Sequence, residues 1–364
     1  MRVLQLIQKP QSRGAEIFAG QLSNHLLDRS HQVRTVALFD GNSPFNFRSE
    51  MTKLGLRSRR IFDFRGWRML ANEINGFKPD VVQANAGDTL KYAVLSKLAF
   101  GWSAPIVFRN ANKVSDFIDT ILKRWFNRFL VNRVQQVISV SELCRQDFIN
   151  TYSYNPSKTI TIPIGIEIAS VQPGLPENLN GIFEKSRVLI HVASYVTEKN
   201  HIGLLRIFKS LTEDYDDVNL VLVGDGRLRQ EVKEKIRKLD LTSRVHVLGY
   251  RSDVLTLMQH AAVCVLPSLI EGLPGVILEA MYCRTPVVAY DVGGISEVVK
   301  NNETGWLVKK GNEDGFVKAV GEVLEGKDLD RMTSNAYELV VKEYDNKVIA
   351  KRFEAVYRQV MERG

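Results

Sequence analysis

The strongest constraint in this 364-residue chain is a rhythm that runs twice. Short apolar runs alternate with longer segments of helical periodicity. Val3–Ile7, Val33–Leu38, Asp80–Ala84, Pro105–Phe108 and Gln136–Val140 read as strands. The segments between them place apolar residues on one face, as Ile17, Phe18, Leu22, Leu26 and Leu27 do. Alternating strands and helices predict a parallel sheet covered on both faces.

The rhythm stops between Ile162 and Pro176, where Pro163, Gly165, Pro173, Gly174 and Pro176 cluster. Such a stretch reads as a linker. The pattern then restarts, with strands at Val188–Ala193, Asn219–Val223, Val245–Leu248, Ala262–Leu266 and Pro286–Tyr290. From Asn346 the chain reads as one amphipathic helix. The expected organisation is an α/β chain of two Rossmann-like, doubly wound domains facing a central cleft. They span residues 1–165 and 166–345, and a terminal helix spans 346–364.

Charge divides along the same line. Residues 1–165 carry 23 basic and 12 acidic side chains, and the remainder carries 26 and 29. A basic half beside a mildly acidic one points to an anionic partner for the first domain. Membrane lipid, nucleic acid and a phosphorylated substrate all satisfy that charge. Nothing in the chain resembles a nucleic-acid-binding module, which leaves no nucleic-acid partner in the reading. Three dispersed cysteines, Cys144, Cys264 and Cys283, argue for a reducing compartment without disulfides or zinc. The start of the chain reads as carrying no signal peptide, and no apolar run approaches the ~20 residues of a membrane span.

The segment Pro267–Ala280 carries the densest chemistry. Gly272 and Pro274 suit a turn into a helix whose free N–H groups face an anion. Glu271 precedes the turn, and Glu279 interrupts the apolar Val276, Ile277, Leu278 and Met281. An anion site with a carboxylate on each side fits a nucleotide sugar. The same residues also fit a plain helix start with two solvated glutamates.

This segment resembles the signature of the retaining glycosyltransferases of family 4, which have the GT-B fold: Glu271-Gly272, then Leu278-Glu279-Ala280. Further landmarks follow in order. They are Ser12-Arg13-Gly14-Ala15-Glu16, Val140-Ser141-Glu142, Ile162–Glu167, Glu198-Lys199-Asn200-His201, Val223–Gly226 and Asp291–Glu297. The resemblance implies transfer of a sugar from a nucleoside-diphosphate donor, a UDP-sugar first and GDP-mannose next. The acceptor would be a hydroxyl of a glycan or lipid-linked acceptor in polysaccharide or lipopolysaccharide synthesis. It implies no cofactor, no metal and a cytoplasmic location, peripheral on the inner face of the membrane.

Residue by residue, the resemblance assigns the reacting centre to Glu271 and the leaving diphosphate to Lys199. Glu279 falls to the donor ribose, and Gly224 and Arg251 to the base or ribose. The amides of Gly272 and Leu273, with the loop at Gly14, fall to the diphosphate. Arg13, Asn85 and Arg109 fall to the acceptor or sugar side. Three departures stand out: Ser194 where the family often has Arg, Ile164 for Asn, and Asn85 for His. Two other readings stay open, a GT-B epimerase or phosphorylase and a non-catalytic glycan- or nucleotide-binding subunit.

One helix has two readings. Phe117–Val134 spaces Ile118, Ile121, Leu122, Trp125, Phe129 and Leu130 helically among Lys123, Arg124, Arg128 and Arg133. It suits an ordinary helix packed on a sheet, or a basic amphipathic helix on an anionic membrane. A second basic-aromatic cluster runs from Arg57 to Arg68.

Overall fold

A computed structural model describes residues 1–11, 14–42, 47–56, 62–168, 174–326 and 329–363. The chain divides into two compact units, Met1–Glu167 with Asp345–Gly364, and Ile168–Tyr344.

The first unit alternates strands and helices. In chain order these are β1 (Arg2–Ile7), α1 (Gly14–Asp28), β2 (Gln32–Ala37), β3 (Glu50–Lys53), α2 (Phe64–Phe77), β4 (Val81–Ala84) and α3 (Gly87–Phe100). Then come β5 (Ile106–Asn110), α4 (Ile121–Val131), β6 (Gln136–Ser139), α5 (Glu142–Tyr152) and β7 (Thr159–Thr161). All seven strands are parallel, in the order β3-β2-β1-β4-β5-β6-β7. The order reverses between β1 and β4, the switch point that leaves a crevice at the strands' carboxyl ends.

The second unit repeats the plan. It runs α6 (Glu177–Phe183), β8 (Arg187–Val192), α7 (His201–Asp214), β9 (Val218–Val223), α8 (Arg229–Lys238), β10 (Val245–Gly249) and α9 (Val254–His260). It continues through β11 (Val263–Leu266), α10 (Gly275–Tyr282), β12 (Val287–Asp291), β13 (Trp306–Lys309), α11 (Glu313–Leu324) and α12 (Leu329–Glu343). Its six parallel strands lie in the order β10-β9-β8-β11-β12-β13, with the switch point between β8 and β11. These central strands are almost continuously apolar and buried, as strands covered on both faces must be.

The last helix, α13 (Asn346–Glu362), belongs to the first unit. Its stripe of Ile349, Phe353, Val356, Tyr357 and Val360 packs with Phe18, Leu22 and Leu26 of α1. Polar contacts fix its start: Asn346 donates to Glu167 (2.8 Å), which also meets His25 of α1 (3.0 Å). That partner raises the His25 imidazole above its ordinary value. Glu167 therefore sits with the first unit, two residues past the boundary read at 165. Residues 169–173 of the expected linker lie outside the described residues.

Candidate active site

The second unit's site is built on the two strands flanking its switch point. After β8 the chain turns through Ala193–Lys199 into α7; after β11 it turns through Pro267–Pro274 into α10. Backbone and amide bonds join the two turns. Leu269 N donates to the Glu198 carbonyl (2.7 Å), and Asn200 Nδ2 to the Pro267 carbonyl (3.0 Å). Asn200 adopts φ 54° and its Oδ1 accepts from Gly203 N, which starts α7. These bonds bring two residues 72 apart in sequence together: Lys199 Nζ donates to Glu271 Oε1 at 2.5 Å.

Glu271 and Gly272 are buried, and the loop after β12 packs on them. Gly294 N donates to the Gly272 carbonyl at 2.5 Å. Gly293, at φ 58°, lies so close to the Glu271 carbonyl that any Cβ there would overlap it. Both the positive φ and the close approach demand glycine. Among the described residues, the Gly272 and Leu273 amides join no backbone hydrogen bond. Gly275 and Val276, as a first helical turn, have amides without an intrahelical acceptor. Pro274 is the N-cap and has no N–H.

The carboxylate of Glu279, one turn into α10, has no hydrogen-bond partner among the described residues, while its backbone carbonyl accepts from Cys283 N (3.0 Å). Burial pushes its carboxyl up to about 6. A desolvated, unpartnered carboxylate beside free amides is suited to accept from hydroxyls while the amides take an anion.

The remaining second-unit residues lie at the neighbouring strand ends. Gly224, after β9, has φ 131° and abuts the Ala193 carbonyl so closely that a Cβ would overlap it. Its amide donates to the Gly249 carbonyl at 2.8 Å. Gly224 therefore joins the ends of β8, β9 and β10. Arg251, beyond edge strand β10, is held by Asp253 in a two-pronged pair (Nε 2.7 Å, Nη2 2.5 Å). The pair raises the guanidinium and lowers the carboxyl.

In the first unit, Gly14 opens α1 and faces space that the described residues leave empty. Arg13 lies outside the described residues. Asn85 follows β4, but its amide is used internally. Its Nδ2 donates to Gln5 Oε1 (2.9 Å) and the Leu6 carbonyl (3.3 Å), and its Oδ1 accepts from Gln83 (2.9 Å). Tyr357 of α13 donates to Gln83 and lies 3.4 Å from Gln5 Nε2, which closes a buried polar ring. Both Asn85 amide hydrogens are thus used between β1 and β4, within the ring that Tyr357 closes. Arg109 of β5 is buried over the Phe18 ring (4.2 Å), with Nε and Nη1 unpartnered. Burial lowers it to about 10, against an opposing pull from Glu16.

Two family models match the chain in succession. One, described as Glycosyltransferase Family 4, matches residues 12–170; the other, Glycosyl transferases group 1, matches 177–339. The chain belongs to this glycosyltransferase family. Among curated relatives of this glycosyltransferase is the UDP-Gal:alpha-D-GlcNAc-diphosphoundecaprenol alpha-1,3-galactosyltransferase of Escherichia coli. It is 27% identical over 65% of this chain and 62% of its own length. The N,N'-diacetylbacillosaminyl-diphospho-undecaprenol alpha-1,3-N-acetylgalactosaminyltransferase of Campylobacter jejuni is 28% identical over 80% of each chain. The N-acetyl-alpha-D-glucosaminyl L-malate synthase of Bacillus anthracis is 30% identical, but only 48% of it is spanned. Among solved structures, HepE of Anabaena in complex with UDP-glucose superposes with a TM-score of 0.85. It covers 99% of this chain and 100% of that one at 20% identity, a likeness of fold. The fold is GT-B.

Behind Lys199 lies a buried ring cluster in which only His201 belongs to a quoted motif. His201, the first residue of α7, stacks on Tyr195 (4.2 Å between ring centroids) and meets His191 of β8 edge-on (4.8 Å). Burial, with help from Lys199, lowers His191 to about 4 and His201 to about 2, so both imidazoles are neutral. The sequence signal was a histidine inside the apolar run Val188–Val192, which period alone assigns to a strand.

Proposed function

We propose that the protein is a retaining glycosyltransferase that moves a sugar from a nucleoside-diphosphate donor, a UDP-sugar first and GDP-mannose next, to a hydroxyl of a lipid-linked glycan. The observation that carries this reading is the Lys199–Glu271 pair beside the free amides at the start of α10. Losing a nucleoside diphosphate needs fixed positive charge and dipoles on the departing phosphate. Lys199 and the Gly272, Leu273, Gly275 and Val276 amides supply both. Glu271 holds the ammonium and contacts the sugar, and Glu279 accepts from the ribose hydroxyls.

The reaction proceeds on one face of the sugar. The anomeric carbon–phosphate oxygen bond breaks as the acceptor oxygen bonds to the same carbon. The acceptor proton passes to the departing phosphate oxygen. No side-chain base is needed, and no metal is assigned to the reaction. The relatives named for diphosphoundecaprenol-linked acceptors support a lipid-linked acceptor here. The first unit, with 28 basic and 16 acidic side chains, supports contact with the anionic inner face of a membrane.

A thermal-shift screen against UDP, GDP, ADP and their sugars tests the donor, since native-state binding raises stability. Lys199→Ala and Glu271→Ala should each abolish transfer with the fold intact. Full activity in either variant overturns these roles. Incubation with donor alone separates an epimerase, which turns over without acceptor.

A further inference from the structure

Helix α4 is amphipathic, but much of its apolar surface is turned away from the sheet. Ile121 is 76% exposed, Leu122 80% and Trp125 67%; Phe129 and the upstream Phe117 are also exposed. On a helix of 3.6 residues per turn, Ile121, Trp125, Phe129 and Leu122 fall within about 100° of one another. The packed face is the opposite one: Leu130 and Val131 are buried, and Phe126 contacts the core. The ordinary packed-helix reading therefore accounts for the last turn and leaves the first two without a partner.

Charge identifies what covers that stripe. Arg124 and Arg128 lie along one edge of it, exposed. Among the described residues neither has an ion-pair partner. Arg133 lies over the Phe129 ring at 3.5 Å. A tryptophan and leucines flanked by arginines match a bilayer interface, where rings and aliphatic chains enter the headgroup boundary and guanidinium groups meet phosphates.

Topology gives the contact a use. In a parallel sheet the crossover helix runs back against the preceding strand, so α4 begins at the carboxyl edge of β5. That is the edge at which doubly wound sheets hold ligands.

We infer that the first two turns of α4 insert Ile121, Leu122 and Trp125 into an anionic membrane, with Arg124 and Arg128 on lipid phosphates. The inference rests on the membrane-facing reading above. It goes further by assigning the contact to one apolar helix face that enters the bilayer.

The test uses Trp125 as its own probe. The other three tryptophans, Trp67, Trp102 and Trp306, are buried. Full-length protein without substrates is mixed with phosphatidylcholine vesicles, alone or with about 30% phosphatidylglycerol. Anionic vesicles should shift the emission to the blue and protect it from acrylamide, and W125F should lose both effects. Arg124→Gln with Arg128→Gln should weaken binding about 25-fold, near fivefold per charge. Leu122→Ser should weaken it about tenfold or more without altering circular dichroism. Equal binding to neutral and anionic vesicles, or acrylamide access unchanged on binding, overturns the inference. So does protection of Trp125 by self-association in sedimentation without lipid. Transfer to a short soluble acceptor, measured separately in the same variants, should be unchanged. Its absence in the parent protein would sink the enzymatic reading and leave the vesicle result standing.

Discussion

Lys199 and Glu271 should be energetically coupled well beyond a surface ion pair. Lys199 is 24% exposed and Glu271 only 7%, and they meet at 2.5 Å. An exposed pair contributes about 0–1 kcal/mol. Breaking a buried pair costs about 3–5 kcal/mol, because one charge is left without compensation. Partial exposure on the lysine side places Lys199→Ala between these, at about 2–3 kcal/mol. Glu271→Gln keeps the carbonyl as an acceptor for the ammonium and leaves Lys199 partly in water, so it should cost about 1 kcal/mol.

The double variant is the decisive one. With no carboxylate left to strand, Lys199→Ala/Glu271→Gln should be about 1–2 kcal/mol less destabilised than the sum of the singles. At about 2–4 °C per kcal/mol for a unit of this size, Lys199→Ala should lower Tm by about 4–12 °C, and adding Glu271→Gln should lower it no further and restore up to about 4 °C. Differential scanning calorimetry of the four proteins at one pH and salt measures this. Transfer should not recover with stability. Removing a fixed charge stabiliser from a leaving group typically costs 10²–10³ in rate, and the double variant should be at least as slow as either single. Additive Tm changes would refute the claim that the pair is one unit. Recovery of activity in the double variant would refute the assignment of both groups to the reaction.

Other outcomes follow from the same structure. Glu279, raised to about 6 from 4.5, binds its proton more tightly folded than unfolded. It therefore costs stability progressively as pH rises from about 4.5 to 6, reaching about 2 kcal/mol above that window. Glu279→Gln should stabilise the ligand-free protein at pH 7.5 but not at pH 4.5, and weaken nucleoside diphosphate binding at least tenfold in calorimetry. A variant that melts like the parent at both pH values would contradict this. Tyr357→Phe should cost about 1–3 kcal/mol by stranding polar groups of the buried ring, read by hydrogen exchange in the first unit. Asn85→Ala should act the same way and leave KM for a soluble acceptor unchanged; a selective KM change would return Asn85 to the acceptor side. Gly293→Ala should abolish donor binding, because the loop must move off the Glu271 carbonyl; unchanged binding in a thermal-shift titration would count against that packing role.

What could be read from the chain divides by the range of the interactions involved. The central strands were legible because burial on both faces leaves uninterrupted apolar runs, as in Val188–Val192 and Val263–Leu266. Strand β3, Glu-Met-Thr-Lys, and β7, Thr-Ile-Thr, were not. Both end their sheet, where a polar outer side costs nothing and the period-two signal is too short to register. Pro267–Ala280 was legible as a turn into a helix because its glycines, proline and two glutamates fall within one short stretch of sequence. The polar ring was not, since Gln5 and Tyr357 stand 352 residues apart and only packing of α13 on α1 makes them neighbours. Asn85 shows the consequence. A polar residue at a strand's carboxyl end reads as ligand-facing by position, yet the unit itself fills every donor. Helix α4 is the reverse. Its periodicity was plain, but period fixes only that one face is apolar. Whether that face meets a sheet or a solvent boundary depends on the turn before it, and here the turn leaves Ile121, Leu122 and Trp125 outside while burying Leu130 and Val131. An apolar stripe that folding does not consume remains available to a second phase, and the flanking arginines determine which one.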